Sequence, residues 1–314
     1  MMTQWINEIK DGQRIKGRYL ITNVSKGVTS NNSTYLTISF QDKTGSIDGK
    51  LWDVAPTDIE VFAVGNIVNL DADVLNYRGN LQLKIISAAI VDTPIDPSCF
   101  TMAAPVPVAE MERQLEAVLN GIEHGQIKLL VTTLIKNHYP QFITYPAAVR
   151  NHHEYASGLL YHTLSMVRLG EAILPHYPGL NRDMLIAGIL IHDLGKTVEL
   201  SGPIIPKYTV TGKLIGHITL MTSEILNLVK ELGVDEEVGT LLAHMVISHH
   251  GKQEFGSPII PMTKEALLLS MIDDMDAKLV MAEKALEGVE PGDFSSRVYA
   301  LDDRSLYQPK FNKK

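Results

Sequence analysis

The chain has 314 residues, 45% of them apolar, and a formal net charge of −8. That is enough apolar material to bury the cores of about two domains, which excludes general disorder, and the acidic balance excludes a protein that grips duplex nucleic acid through one broad basic face. The single cysteine, Cys99, excludes an intrachain disulfide framework and fits a reducing, cytoplasmic setting.

The opening MMTQWINEIKDGQRIKG has no apolar h-region, so no secretory signal is expected. No apolar run approaches the roughly 18 residues of a membrane span, so no membrane partner is expected either. Up to about residue 94 the chain reads as short β-rich runs separated by turn residues: GRYLITNVSKG, STYLTISFQDKTGSIDGKLWD and GNIVNLDADVLNYRGNLQLKIISAAIV. Thr34 to Phe40 alternates strictly, as a half-buried strand does. DKTGS (42–46) and NYRGN (76–80) are hairpin-type turns. Five or so strands in this span predict a small barrel or sandwich over residues 1–94. The four prolines of DTPIDPSCFTMAAPVPV then predict an extended linker, placed at 95–108.

From 109 to 290 the pattern is helical. Helices are expected in EMERQLEAVLNGI, QIKLLVTTLIKNHY, HEYASGLLYHTLSMVRLGEAIL, DMLIAGILIHDLGK, HITLMTSEILNLVKELG, DEEVGTLLAHMVISHHG and TKEALLLSMIDDMDAKLVMAEKALEG. Gly195, Gly233 and Gly251 sit where helix C-termini are expected. The tail, 291–314, is given no element.

Along these helices, at or near their ends, runs an ordered set of imidazoles and carboxylates: His162, His192-Asp193, His217, His249-His250 and Asp273. Imidazole nitrogen with carboxylate oxygen is the ligand mix of Mn²⁺, Fe²⁺, Co²⁺, Ni²⁺ or Zn²⁺. Burying His192 and Asp193 unpaired would be costly, and a metal supplies the partner. Adjacent residues on a helix point about 100° apart, so His192 and Asp193 suit different positions, with Asp193 able to bridge two ions. His124, His138, His176 and His244 are read as ordinary structural histidines. Lys196 is one turn past His192, where it either reaches a phosphate or simply answers a helix dipole. His152 and His153 are candidate contacts at a cleft rim or an exposed helix start.

The pattern of His162, then HDLGK, then Asp273 resembles the HD superfamily of metal-dependent phosphohydrolases. That resemblance implies an all-α fold and one ion held by His162, His192, Asp193 and Asp273. The extra histidines resemble the two-metal subset, in which a second ion would share Asp193 and use His217 and His249, with His250 a weaker candidate. Two such cations lower the pKa of a shared water and neutralise charge developing on a phosphoryl oxygen. Asp193 and Lys196 are thereby the expected catalytic pair.

Residues 17–91, above all YLTISFQDKTGSIDGKLWD, resemble the OB-fold of single-strand-binding proteins. Tyr35, Phe40, Trp52 and Tyr77 are candidates to stack on bases, with Lys43, Lys50 and Arg78 near phosphates; Phe40 and Trp52 also lie in apolar patterns that suit a core. An OB barrel followed by an HD domain, with NHHEYASGLLYHTLSM, GHITLM, SHHG, IDDMDAK and RVYALDDRSLYQP, resembles the YhaM family of bacterial 3′-to-5′ exoribonucleases. The resemblance implies Mn²⁺ as the preferred metal, single-stranded RNA and also ssDNA as candidate substrates, 5′-mononucleotides as products, and a homo-oligomer. Two other readings remain open from the residues: an HD phosphohydrolase of small nucleotides with a regulatory barrel, and a non-catalytic single-strand-binding protein with structural metal.

Overall fold

The computed structural model describes residues 4–28, 32–77, 80–93, 95, 97–148 and 155–311, so that Arg78, His152 and His153 lie outside the described residues. The chain divides into two compact units, Met1–Ala103 and Ala104–Lys314.

The first unit is a closed barrel of five strands: β1 (Arg14–Val28), β2 (Thr34–Asp42), β3 (Gly45–Trp52), β4 (Ile67–Tyr77) and β5 (Asn80–Ile90). A single turn of helix, α1 (Asp58–Val61), lies between β3 and β4. The spatial order β1-β2-β3-β5-β4, with β1 returning to pair with β4, is the Greek-key barrel connectivity of the OB-fold. Alternation decides which residues fill it. Leu36, Ile38 and Phe40 of β2 and Ile47, Gly49 and Leu51 of β3 point inward, while Tyr35 and Trp52 face each other across the outer surface. Gly49 is required inside, because a Cβ there would lie 2.9 Å from the Phe40 ring. The β2–β3 turn is locked by the buried Asp42, whose carboxylate accepts from the backbone N–H of Thr44 at 2.7 Å and of Ile6 at 2.8 Å. Part of the proline-rich stretch belongs to this unit. Pro97–Phe100 forms a 3₁₀ turn, Phe100 is buried, and its carbonyl accepts from Gln41.

The second unit is helical: α2 (Val108–Asn120), α3 (Gly125–Phe142), α4 (Gly158–Ile173), α5 (Arg182–Ile191), α6 (Lys196–Glu199), α7 (Val210–Ile215), α8 (His217–Leu232), α9 (Glu236–Ser248) and α10 (Lys264–Leu286). Every residue of α5 from Met184 to Ile191 is buried, which makes it the central helix, packed by α3, α4, α9 and α10. The N-termini of α5, α9 and α10 are capped by Asn181, Asp235 and Thr263, whose side-chain oxygens accept backbone N–H bonds. α4 starts at Gly158, five residues later than the sequence pattern suggests, because Ser157 adopts a left-handed conformation at φ 63°. Gly233 ends α8 in the expected left-handed cap. Gly195 has a different reason from the expected one: its φ is helical, and a Cβ would come within 2.3 Å of the His217 carbonyl oxygen. No described helix is long and apolar enough to cross a membrane.

Candidate metal centre

The central helix delivers the site. α5 ends at Ile191, so its C-cap residue His192 and the following Asp193 emerge at the heart of the unit, both buried. α4 brings the buried His162 from its second turn, α8 begins with His217, α9 ends on His249, and α10 presents Asp273 from its middle rather than its end. Asp193 lies between two groups of imidazoles. Its Oδ2 is 3.3 Å from His192 Nε2 and 3.9 Å from His162 Nε2, while its Oδ1 is 3.4 Å from His217 Nε2 and 3.7 Å from His249 Nε2. Asp273 Oδ1 closes the first group, 3.2 Å from His162 Nε2 and 4.0 Å from His192 Nε2. His250 joins His217 and His249 in the second, where one ligand atom from each lies within 4.8 Å of the others.

The opposite ring nitrogens show why these imidazoles are aimed inward. His192 Nδ1 donates to the Ile189 carbonyl at 2.8 Å and His249 Nδ1 to the Val246 carbonyl at 2.7 Å. A carbonyl only accepts, so both rings carry their proton on Nδ1 and direct an Nε2 lone pair to the centre. His162 Nδ1 lies 2.7 Å from Asp276 Oδ2, and His217 Nδ1 lies 3.1 Å from Glu199 Oε1. Backbone carbonyls and carboxylates behind imidazoles are the supports that orient metal ligands. Meanwhile His192 Nε2, Asp193 Oδ1, His217 Nε2 and His249 Nε2 are buried without a hydrogen-bond partner among the described residues. Four converging orphans are expensive in a protein core unless a cation completes them. The donor set therefore fits a divalent metal.

The family of this chain follows from comparison with known proteins. The HD domain family matches residues 159–278. The 3′-5′ exoribonuclease YhaM of Geobacillus sp. (strain WCH70) is 44% identical, with 99% of this chain and 97% of that protein covered. Its counterpart in Bacillus subtilis (strain 168) is 43% identical, covering 96% and 97% respectively. The chain belongs to the YhaM family. Among solved structures, the second OB-fold domain of replication protein A from Methanococcus maripaludis is similar over 30% of this chain and 100% of its own, at 19% identity and a TM-score of 0.25.

Electrostatics in this YhaM-family site are set by burial working against close partners. Burial disfavours the Asp193 carboxylate, yet Lys196 and His192 hold its pKa well below the usual range. Burial also disfavours the Lys196 ammonium, but Asp193, 2.6 Å from Nζ, raises its pKa and keeps it charged. For His162, burial is outweighed by Asp273 and Asp276, which push the pKa up to about 9. For His249, burial and then the neighbouring His250 and His192 press it well below the ordinary value, so that ring is neutral and ready to ligate. Sequence reasoning gave no role to Asp276, which stands within IDDMDAK, and missed Glu199. Both were detectable in principle, since Asp276 is one turn beyond Asp273 and Glu199 is the first carboxylate after HDLGK, in the segment TVELSG. The four histidines read as structural lie apart from the cluster: His124 caps α3, His138 pairs with Glu224 at 2.8 Å, His176 ends a 3₁₀ turn and His244 accepts from the Met262 N–H.

On the barrel, the structure gathers only some of the candidate contacts. Tyr35, Lys50, Trp52 and Tyr77 line one groove of about 900 Å³, joined by Lys84. The Tyr35 and Trp52 rings meet at 5.1 Å, Lys50 Nζ lies 4.8 Å from the Tyr35 ring, and Trp52 and Tyr77 are 47% and 59% exposed. Phe40 is a correction: it is fully buried in the barrel core against Phe62 and has no face to offer a base. Lys43 is another. It sits in the β2–β3 turn, eight residues along the hairpin from Tyr35, and its ammonium lies 4.3 Å from the Trp5 ring.

Proposed function

We propose that this chain is a metal-dependent 3′-to-5′ exoribonuclease that hydrolyses single-stranded RNA to 5′-mononucleotides, with ssDNA a secondary substrate, in the cytoplasm. The observation that carries this reading is the placement of Asp193, one oxygen toward His162 and His192 and the other toward His217 and His249. One carboxylate serving two imidazole groups is what a pair of ions requires. We assign His162, His192, Asp193 and Asp273 to one ion and Asp193, His217 and His249 to the second, with His250 at its edge; Mn²⁺ suits this mixed nitrogen and oxygen set. When bound, such ions supply an activated water and neutralise charge on the phosphoryl oxygens.

The chain's own residues do the rest. Asp276, Glu199 and the carbonyls of Ile189 and Val246 hold the imidazole protons on Nδ1 and fix the rings. Lys196, kept charged by Asp193, stands in the same cavity to meet the phosphate of the incoming strand. Tyr35, Trp52 and Tyr77 grip bases upstream, with Lys50 and Lys84 close to the backbone phosphates.

The test is a time course on single-stranded RNA labelled at its 5′ end, with Mn²⁺, with chelator, and with the Asp193→Ala variant. A ladder shortening from the 3′ end, absent in both controls, is expected. An intact oligonucleotide beside turnover of a small nucleotide would replace this reading with that of a small-nucleotide phosphohydrolase.

A further inference from the structure

Residues 294–307 fold back on themselves instead of trailing from the helical unit. β-Bridges join Phe294 to Tyr307 and Val298 to Arg304, and the Phe294 and Tyr307 rings meet at 5.1 Å. Ser295 donates its backbone N–H to the Leu306 carbonyl and accepts that of Leu306 on its Oγ. A 3₁₀ turn, Tyr299–Leu301, packs on α10 with Leu301 buried. Asp302 and Asp303 follow at φ 56° and 54°, a left-handed conformation that aspartate tolerates better than most residues, and pair with Arg304 and Arg297 respectively. The segment is therefore a fixed structure.

Its tip carries Tyr299, 91% exposed, more than any other large hydrophobic side chain among the described residues. Tyr299 is among the residues that line a cavity of about 830 Å³ whose other walls include Asp193, Lys196, His249, His250 and Asp273. A bare aromatic face on a rigid support, in the same cavity as a phosphodiester-cleaving centre, is the arrangement that receives a nucleobase. Because the backbone beneath it is already ordered, stacking needs little further loss of freedom.

We propose that Tyr299 is the platform on which the base of the 3′-terminal nucleotide stacks while the phosphodiester on its 5′ side lies at the Asp193 centre. The word terminal rests on the exonuclease reading above. Two consequences follow from the chemistry. Stacking needs only a π-face, so all four bases are accepted. A base inside a duplex has both faces covered, so only an unpaired end can use the platform.

The experiment compares the full-length wild-type chain, Tyr299→Ala and Tyr299→Phe on two single-stranded oligoribonucleotides, one ordinary and one lacking the base of its 3′-terminal nucleotide. For the ordinary strand, Tyr299→Ala is expected to raise KM on the order of tenfold, and Tyr299→Phe to restore it. On the baseless end, wild type and Tyr299→Ala should have the same KM. An unchanged KM in Tyr299→Ala, an equal rise on both strands, or no rescue by phenylalanine overturns the proposal. If the wild type shortens neither strand, the exonuclease reading alone fails. Stacking is then read with Mn²⁺ from 2-aminopurine at the 3′ end: quenching by wild type and Tyr299→Phe but not Tyr299→Ala upholds the platform, and no quenching by wild type removes it.

Discussion

Asp42 in the barrel and Asp193 in the helical unit are both buried carboxylates, and the protein surrounds them in opposite ways. Asp42 accepts from the N–H groups of Ile6, Thr44 and Gly45 and from the Thr44 hydroxyl, so both of its oxygens are matched by local donors. Asp193 receives one ammonium on Oδ2, while its Oδ1 faces two imidazole nitrogens that have no hydrogen-bond partner among the described residues. The first arrangement is complete as protein and fixes a turn. The second lacks partners that a divalent metal would supply, and that asymmetry distinguishes a structural carboxylate from a functional one.

The widest expected difference between the two comes from replacing each by alanine. Asp193→Ala should lower RNA hydrolysis by at least ~10³-fold, since the metal site loses its central carboxylate. It should also abolish the thermal stabilisation expected from Mn²⁺ in the wild type, about 2.7 kcal/mol at a hundredfold excess over Kd. Asp42→Ala should keep the metal-dependent stabilisation and cost the barrel about 2–4 kcal/mol through its lost hydrogen bonds. Calorimetry with and without Mn²⁺ separates the two outcomes. A metal response that survives in Asp193→Ala would break the distinction.

Next in size is a pair of aromatic substitutions within the barrel. Phe40→Ala should destabilise the barrel by about 3–5 kcal/mol, a cavity effect read by thermal unfolding. Trp52→Ala should leave unfolding nearly unchanged and weaken binding of single-stranded RNA by about 1–3 kcal/mol, read by titration. Equal effects of both on stability would mean that Trp52 belongs to the core.

These two residues also show how far the sequence could be read. Strict alternation over Thr34 to Phe40 already puts Tyr35 and Phe40 on opposite faces, because they are five positions apart and the strand period is two. Choosing by residue type alone hid that parity. Which of Lys43 and Lys50 reaches the groove depended on the register of β2 on β3, which no local pattern carries. The metal cluster was more legible, since few partners besides a cation can satisfy histidines and aspartates repeated along successive apolar helices. Its supports were less so: Glu199 and Asp276 act through partners 18 and 114 residues away.

Those supports give the third prediction. Asp276→Asn keeps the shape of the side chain but removes the charge behind His162, and should reduce Mn²⁺ affinity or RNA turnover roughly 10–100-fold. The measurement is turnover against Mn²⁺ concentration, where recovery at high metal marks a loss of affinity. A fully wild-type titration would show that His162 needs no carboxylate behind it.

The smallest effect belongs to a carboxylate whose charge is balanced at the surface. The guanidinium of Arg14 makes a two-point contact with Asp71, at 2.8 and 3.0 Å, and Lys16 adds another at 3.0 Å. Hydrogen bonds from Arg14 and then Lys16 bring the Asp71 pKa down to about 2. A depressed carboxylate contributes stability above its unfolded pKa of about 3.9 and loses that contribution as pH falls towards the folded value. The Tm difference between wild type and Asp71→Asn should thus be small at neutral pH, shrink as pH falls towards about 2 and vanish only below it. It should also fade at 1 M salt, where the screening length is about 3 Å. The defect in Asp193→Ala should persist at that salt, because its cause is a missing ligand inside the protein rather than a missing charge in solvent. Parallel salt series on the two variants therefore separate an electrostatic contribution at the surface from a coordination requirement in the core.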